Sequence, residues 1–335
     1  MKPYTASDRK IKYGKFFSER GDVPVFLAPW WLDLDAGPDN WDVALAETNG
    51  QLIGALPYCF TQLRFFKGVG MPPVAPYQGY YIAYPPDQHK VASKIAWEQK
   101  VVRALFEGLP RLAFFYQHFP PETTNWTPLH WLGYRQTTKY SYVIGTLQNT
   151  QVLNDELESS TRRILRIAEK KLSVTHETDS RSLLELVALT YKKQNLPPPY
   201  DMPRLARLTE AAVSRQVGKI YIARDGEGTA HAGAFAVWDR GRAFFTIQAA
   251  HPAYLAHGGA ALVAWHAIQD AASAGLSSFD FTGSMMPTVE RFIRSFGAVP
   301  VQRHYISKEN NPLLYWLMRV REYGQERGIE GRGVV

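Results

Sequence analysis

The chain has 335 residues, 45% of them hydrophobic and 13% aromatic, which exceeds what one hydrophobic core usually organises and supplies apolar material for two. Its single cysteine, Cys59, excludes an internal disulfide and a thiolate zinc site; the nine histidines show no HExxH spacing, so no metal is expected. A net charge of +7 favours anionic partners, and no window approaches a membrane span. The opening MKPYTASDRKIKYGK lacks the apolar stretch of a secretion signal, so the expected location is cytoplasmic.

Aromatic runs crowd the first half, at Trp30-Trp31, Phe65-Phe66 and residues 77–84 and 114–119, and are read chiefly as core. Residues 43–60 form a strand, an Asn49-Gly50 turn and a returning strand, in which Cys59 is a buried spectator. A helical run ends at Gly108-Leu109 and leads into an apolar strand over 112–116; Leu132-Gly133-Tyr134 then precedes a strand over 140–144. A basic helix follows over 155–172. Its Arg163, Arg166 and Lys170 share one face, either solvated or meeting phosphates, and Ile164, Leu165, Ala168 and Leu172 occupy the other.

The segment Tyr191-Lys192-Lys193-Gln194-Asn195-Leu196-Pro197-Pro198-Pro199-Tyr200 breaks a helix and sets an extended path, a rim for a cleft between domains or a rigid connector. Residues 220–238 repeat the hairpin plan around Asp225-Gly226. A strand over 243–249, a loop over 251–259 and a helix over 260–274 come next, and Gly275-Leu276 leads into a strand over 278–281. Phe296-Gly297-Ala298 precedes a strand over 301–306, and a helical pattern with Leu313, Leu314, Trp316, Leu317 and Val320 closes the chain. Four features recurring in one order argue for two copies of one αβ unit.

Three segments carry a family resemblance: Pro29-Trp30-Trp31-Leu32-Asp33, the run Arg162-Arg163-Ile164-Leu165-Arg166-Ile167-Ala168-Glu169-Lys170, and residues 280–297. Together they resemble the tandem GNAT-type proteins, which include the FemA/FemB/FemX aminoacyltransferases and related bacterial acyltransferases. The resemblance implies an α/β fold of two tandem GNAT-like domains, each a mixed, mostly antiparallel sheet flanked by helices. Residues 1–148 would be a non-catalytic acceptor-side domain and 149–335 the donor-binding domain with a C-terminal helix.

In GNAT relatives a glycine loop before a helix holds the coenzyme A pyrophosphate. Leu255-Ala256-His257-Gly258-Gly259-Ala260 stands at that place without the usual Arg/Gln-x-x-Gly-x-Gly/Ala spelling, so it is either a phosphate cradle or only a turn. Arg291 and Arg294 are further candidates for an anionic donor, or a solvated helix face. On the acceptor side the resemblance points to Tyr191, Lys192, Gln194 and Tyr200, and the basic helix adds Arg163 and Arg166. The tyrosine acid that many relatives carry four residues before the closing glycine is replaced by Ile293, so either Tyr305 or Ser284 substitutes or the leaving group is a weak base that needs no protein acid. Asp280 alternates with Phe279 and Phe281 and points to the opposite face, as a base or acceptor-orienting group or as a tie for the turn.

The expected activity is acyl transfer from acyl-coenzyme A, as co-substrate rather than tightly bound cofactor, to an amine or hydroxyl of an envelope- or polysaccharide-related acceptor. Aminoacyl-tRNA is the alternative donor, and a non-catalytic binding module is the alternative of another class. DNA is not an expected partner.

Overall fold

A computed structural model describes residues 5–86, 89–147, 150–283 and 285–316. The first half runs α1 (Ala6–Ser18), α2 (Pro29–Asp35), β1 (Trp41–Thr48), β2 (Gln51–Leu63), β3 (Phe66–Gly70), β4 (Tyr81–Ile82), α3 (Val91–Glu107), β5 (Phe114–His118), α4 (Thr127–Trp131) and β6 (Arg135–Ile144). Thr5 starts α1 by accepting from the Asp8 N–H while the Asp8 carboxylate accepts from the Thr5 N–H, a reciprocal capping box. Helices α5 (Thr150–Glu156) and α6 (Ser159–Ala168) link to the second half. It comprises β7 (Ser173–Glu177), α7 (Arg181–Lys193), α8 (Met202–Ser214), β8 (Gly218–Arg224), β9 (Ala230–Asp239), β10 (Arg242–Ala250), α9 (Gly259–Ser273), β11 (Ser278–Asp280), α10 (Pro287–Arg294) and β12 (Val299–Glu309).

The repeat read in the sequence is present. Hairpin β1–β2, strand β3, helix α3, parallel strand β5, helix α4 and strand β6 correspond in order to β8–β9, β10, α9, β11, α10 and β12. All strands join one sheet in the order β1-β2-β3-β5-β12-β6-β11-β10-β9-β8-β7, with β4 on β2. The two repeats have exchanged their last strands. β12 lies against β5 from Tyr305↔His118 to Glu309↔Phe114, and against β6 from Val299↔Val143 to Ser307↔Arg135. β6 in turn meets β11 at Val143↔Asp280. Each half therefore supplies the strand that completes the other's ladder, so hydrogen bonding runs unbroken through the centre. The expected boundary between residues 148 and 149 falls outside the described residues.

Nine of the fifteen residues of α9 are buried, which makes it apolar on nearly every side and requires a cover opposite the sheet. Helix α6 is that cover: its Leu165 and Ala168 share a core with α9, Phe279 and Phe281. On the other face of the sheet α2, α7 and α8 pack with Phe244, Ile247 and Ala249. In the first half Leu105 of α3 and Leu129, from α4, pack with Phe115 and Ile306.

Three local expectations change. The basic helix over 155–172 is two helices, because Glu158 leaves the helical path and its N–H bonds the Ser295 carbonyl. Ile164 is half-exposed at the edge of α6, beside Gly258; its place on the buried stripe is taken by Thr161, whose hydroxyl bonds Ser295 Oγ at 2.8 Å. The second hairpin turn is wider than Asp225-Gly226, since the Asp225 carboxylate accepts from the N–H groups of Glu227 and Thr229 and draws 225–229 into one loop. Cys59 is buried, and burial pushes its thiol pKa up. Of the closing helical pattern, Leu317 and Val320 lie outside the described residues.

Beyond the end of β11 come two successive left-handed residues, Thr282 (φ 61°) and Gly283 (φ 74°). A Cβ on Gly283 would stand 2.3 Å from the Tyr140 carbonyl oxygen, so Gly283→Ala should lower stability by about 2 kcal/mol or more. Gly226→Ala, with open space around it, should stay within about 0.5 kcal/mol. Thermal denaturation of the two variants checks the contrast.

Candidate functional site at the exchanged strands

Residues paired across strands share a face, so the register places Asp280, Val143, Ser141, Lys139, Arg303, Tyr305 and His118 on one side of the sheet. This is the face covered by α2 on the first-half side and by α7 and α8 on the second-half side. Asp280, on β11, is fully buried at its lower end. Tyr77 donates its phenol hydrogen to Oδ2 at 2.7 Å, Ser141 donates its hydroxyl to Oδ1, and the Thr282 N–H reaches Oδ1 at 2.7 Å. Burial pushes the Asp280 pKa up, against the pull of those three donors. The carboxylate thus ties β6, β11 and the segment around Tyr77 together, and it holds the left-handed turn after β11. This geometry matches the turn-tying alternative read for Asp280.

Six residues along β6 from Val143, at Thr137, the face reaches Tyr305, a separation of about 20 Å at ~3.3 Å per residue. The His118 and Tyr305 ring centroids are 5.0 Å apart, and Tyr116 lies 6.2 Å from Tyr305. Between Asp280 and Tyr305 stand two cations paired across strands, Arg303 and Lys139. Arg303 donates Nη1–H to the Pro76 carbonyl at 3.2 Å and lies over the Tyr77 ring; Lys139 lies over Tyr305. Among the described residues neither has a carboxylate partner, and Arg303 Nε and His118 Nδ1 are buried without a protein partner. Burial, reinforced by Arg303 and Lys139, lowers the His118 pKa to about 3, so its imidazole is neutral at physiological pH.

This face adjoins a cavity of about 270 Å³ between the halves, lined by α2, Cys59, Thr61, residues 71–74, Pro199, Tyr200, Arg204 and Leu205. Thr61 and Met71 join the two: Tyr116 hydrogen-bonds Thr61, and the His118 N–H points to Met71 Sδ at 3.3 Å. The proline segment does rim the cleft, with Pro199 and Tyr200 in its wall. Asp35 lies buried at the cavity base, where it accepts from Trp31 Nε1–H (3.1 Å) and from the N–H groups of Val74 and Ala75 (both 2.9 Å). Burial outweighs these donors and raises its pKa to about 6.

The residues expected to bind substrate are not brought together. Tyr191 stands against Tyr200, with ring centroids 6.3 Å apart. Lys192 is exposed, and Gln194 lines a separate cavity with Lys193, Gln248 and Ala260. Arg163 and Arg166 are exposed on α6, on the α9 side of the sheet. The donor candidates do converge on the start of α9. Gly258 has φ 77°, and a Cβ there would lie 2.7 Å from Ile164 Cγ2, so α6 roofs the glycine loop. His257 Nδ1 is 3.3 Å from His231 Nδ1, and His231 Nε2 is 2.9 Å from Asp225. Gly259 is buried and Ala260 accepts from Gln248 Nε2. Arg291 lines a cavity of about 250 Å³ with Ile164, Ala261 and Phe292, while Arg294 pairs with Glu158 and Glu290. Ser284 lies outside the described residues.

Residues 157–292 match the family described as acetyltransferase (GNAT) domain. Over the whole chain the fold is similar to the crystal structure of FemX, with a TM-score of 0.63 at 10% identity, covering 94% of this chain and 98% of that one. The chain is a tandem GNAT-fold protein. The fold is also similar to that of the C-terminal domain of a putative lysylphosphatidylglycerol synthetase from Agrobacterium fabrum (TM-score 0.57, 14% identity, 92% and 95% covered). A tandem GNAT protein from the clavulanic acid biosynthesis pathway gives a TM-score of 0.51 at 12% identity, with 92% and 98% covered. No curated protein matches it in sequence. FemX-like architecture is thus what the resemblance implied, and the tandem mixed sheets are joined by exchange.

Tyr77, Ser141, His118, Lys139, Arg303 and Asp35 escaped the sequence reading. Alternation in 135–144 and 299–309 marked Lys139 and Arg303 as sharing a face only within their own strands.

The raised Asp35 pKa has a consequence for stability. Between pH ~4 and ~6 the folded protein keeps a proton that the unfolded chain has released, so stability falls as pH rises through that window, by about 3 kcal/mol from this group. Urea unfolding from pH 4 to pH 7 should show that decline in the wild type, and Asp35→Asn should lack this component.

Proposed function

We propose that the protein transfers an acyl group to an amine or hydroxyl acceptor seated between the two halves, with Arg303 and Lys139 meeting the negative charge that develops on the acyl oxygen. The observation that carries this reading is the pair of cations on the central face without a carboxylate partner among the described residues. A neutral acceptor nitrogen or oxygen adds its lone pair to the acyl carbonyl carbon; the carbonyl electrons move to oxygen, where fixed cations stabilise them. Collapse then expels the thiolate or alkoxide, and the acceptor's proton leaves with it. Neutral His118, whose Nδ1 has no protein partner, would accept a hydrogen bond from the acceptor N–H or O–H. The cavity beside Asp35 and Tyr200 would take the rest of an envelope- or polysaccharide-related acceptor.

The leading donor is an acyl-coenzyme A, its pyrophosphate at His257, Gly258, Gly259 and Ala260 beside Arg291. The second reading, an aminoacyl ester carried by tRNA, is favoured by the roof that α6 places over Gly258, and FemX and lysylphosphatidylglycerol synthetase share the architecture. Titration calorimetry with coenzyme A separates the donors. Saturable binding that is lost in Gly258→Trp supports the first, and no binding by the wild type moves the aminoacyl ester forward. With a donor in hand, Arg303→Ala should lower kcat about a hundredfold with the melting temperature little changed. Unchanged turnover would overturn the assigned role of Arg303.

A further inference from the structure

Helix α6 carries an outward face that ordinary solvation does not explain. Its buried stripe is Thr161, Leu165 and Ala168, and Ile164 leans over Gly258, while Ile167, 41% exposed, stands beside Arg163 and Arg166 with Lys170 in the turn that follows. Helix α10 lies alongside, held by the Glu158 N–H to the Ser295 carbonyl, by Thr161 to Ser295 and by Arg294 to Glu158. Its leading turn adds Met285, 61% exposed, and its first turn Val289. Arg163, Arg166 and Lys170 enter no ion pair among the described residues. Several exposed apolar side chains beside unpaired cations are a feature of interaction surfaces, whereas single exposed ones are ordinary. A single-stranded RNA surface would offer aromatic rings for base stacking, whereas the exposed apolar groups here are aliphatic or thioether.

Cations with interleaved aliphatic side chains on one helix face have the chemistry of interfacial binding: the apolar groups enter the acyl boundary and the cations meet lipid phosphates. We propose that α6 and the start of α10 dock this protein on an anionic lipid bilayer. The face lies on the α9 side of the sheet, opposite Asp280, Arg303 and the cleft, so docking leaves the interdomain cleft open.

Co-sedimentation with phosphatidylcholine vesicles, with and without phosphatidylglycerol, tests it. Binding should require phosphatidylglycerol and weaken with added salt. Arg163→Ala with Arg166→Ala should weaken it about thirtyfold, from ~1 kcal/mol per basic residue. Ile167→Asp should weaken it comparably, and since Ile167 is exposed its melting temperature should match the wild type. Equal sedimentation with both vesicle types would overturn the proposal. So would full vesicle binding by Ile167→Asp, or vesicle-independent binding of the wild type to a structured RNA that the arginine variant loses.

Discussion

The pairing of β6 with β12 is the constraint on which the rest of the molecule depends. Lys139 faces Arg303 only because the last strands of the two repeats lie antiparallel in one register. Ser141 reaches Asp280 only because β6 has left its own repeat to lie against β11. A sheet of two unexchanged halves would keep every hairpin and crossover described above and would disperse the central cations. The candidate site is therefore a property of the exchange and of neither half alone.

Two buried carboxylates, one from each half, fasten the segment that crosses this centre. Asp35 accepts from the backbone at Val74 and Ala75, and Asp280 accepts from the Tyr77 hydroxyl. An ionised carboxylate is costly to bury, and each is compensated by several N–H or O–H donors, the segment at 74–77 supplying two to Asp35 and one to Asp280. Losing one donor set would leave a charge without compensation. The segment at 74–77 is accordingly fixed at both ends, and that rigidity sets where Pro76 meets Arg303.

Much of the fold was legible because punctuation was local. Asn49-Gly50, Gly108, Gly275 and Gly297 mark where elements end, and the same order in both halves revealed the duplication. The side that Asp280 takes followed from alternation with Phe279 and Phe281, both of which are in the α9-side core. The exchange was not legible, since β6 and β12 have the same alternating pattern whichever partner they choose. Tyr77 and Asp280 are 203 residues apart, and no local pattern links them. Ile164 was misassigned for a related reason: which stripe of α6 is buried depends on a tertiary bond between Thr161 and Ser295.

The exchanged strands give the chain the geometry of a swapped homodimer whose protomers share one polypeptide, since each repeat lends its terminal strand to the other about an approximate two-fold relation. In a true dimer of that kind both clefts would be identical by symmetry. Covalent joining lifts that requirement: β7 accompanies only the second repeat and β4 only the first. The shared central ladder holds both repeats in place while their outer layers differ, so one fold offers two sequence-independent surfaces instead of two copies of one.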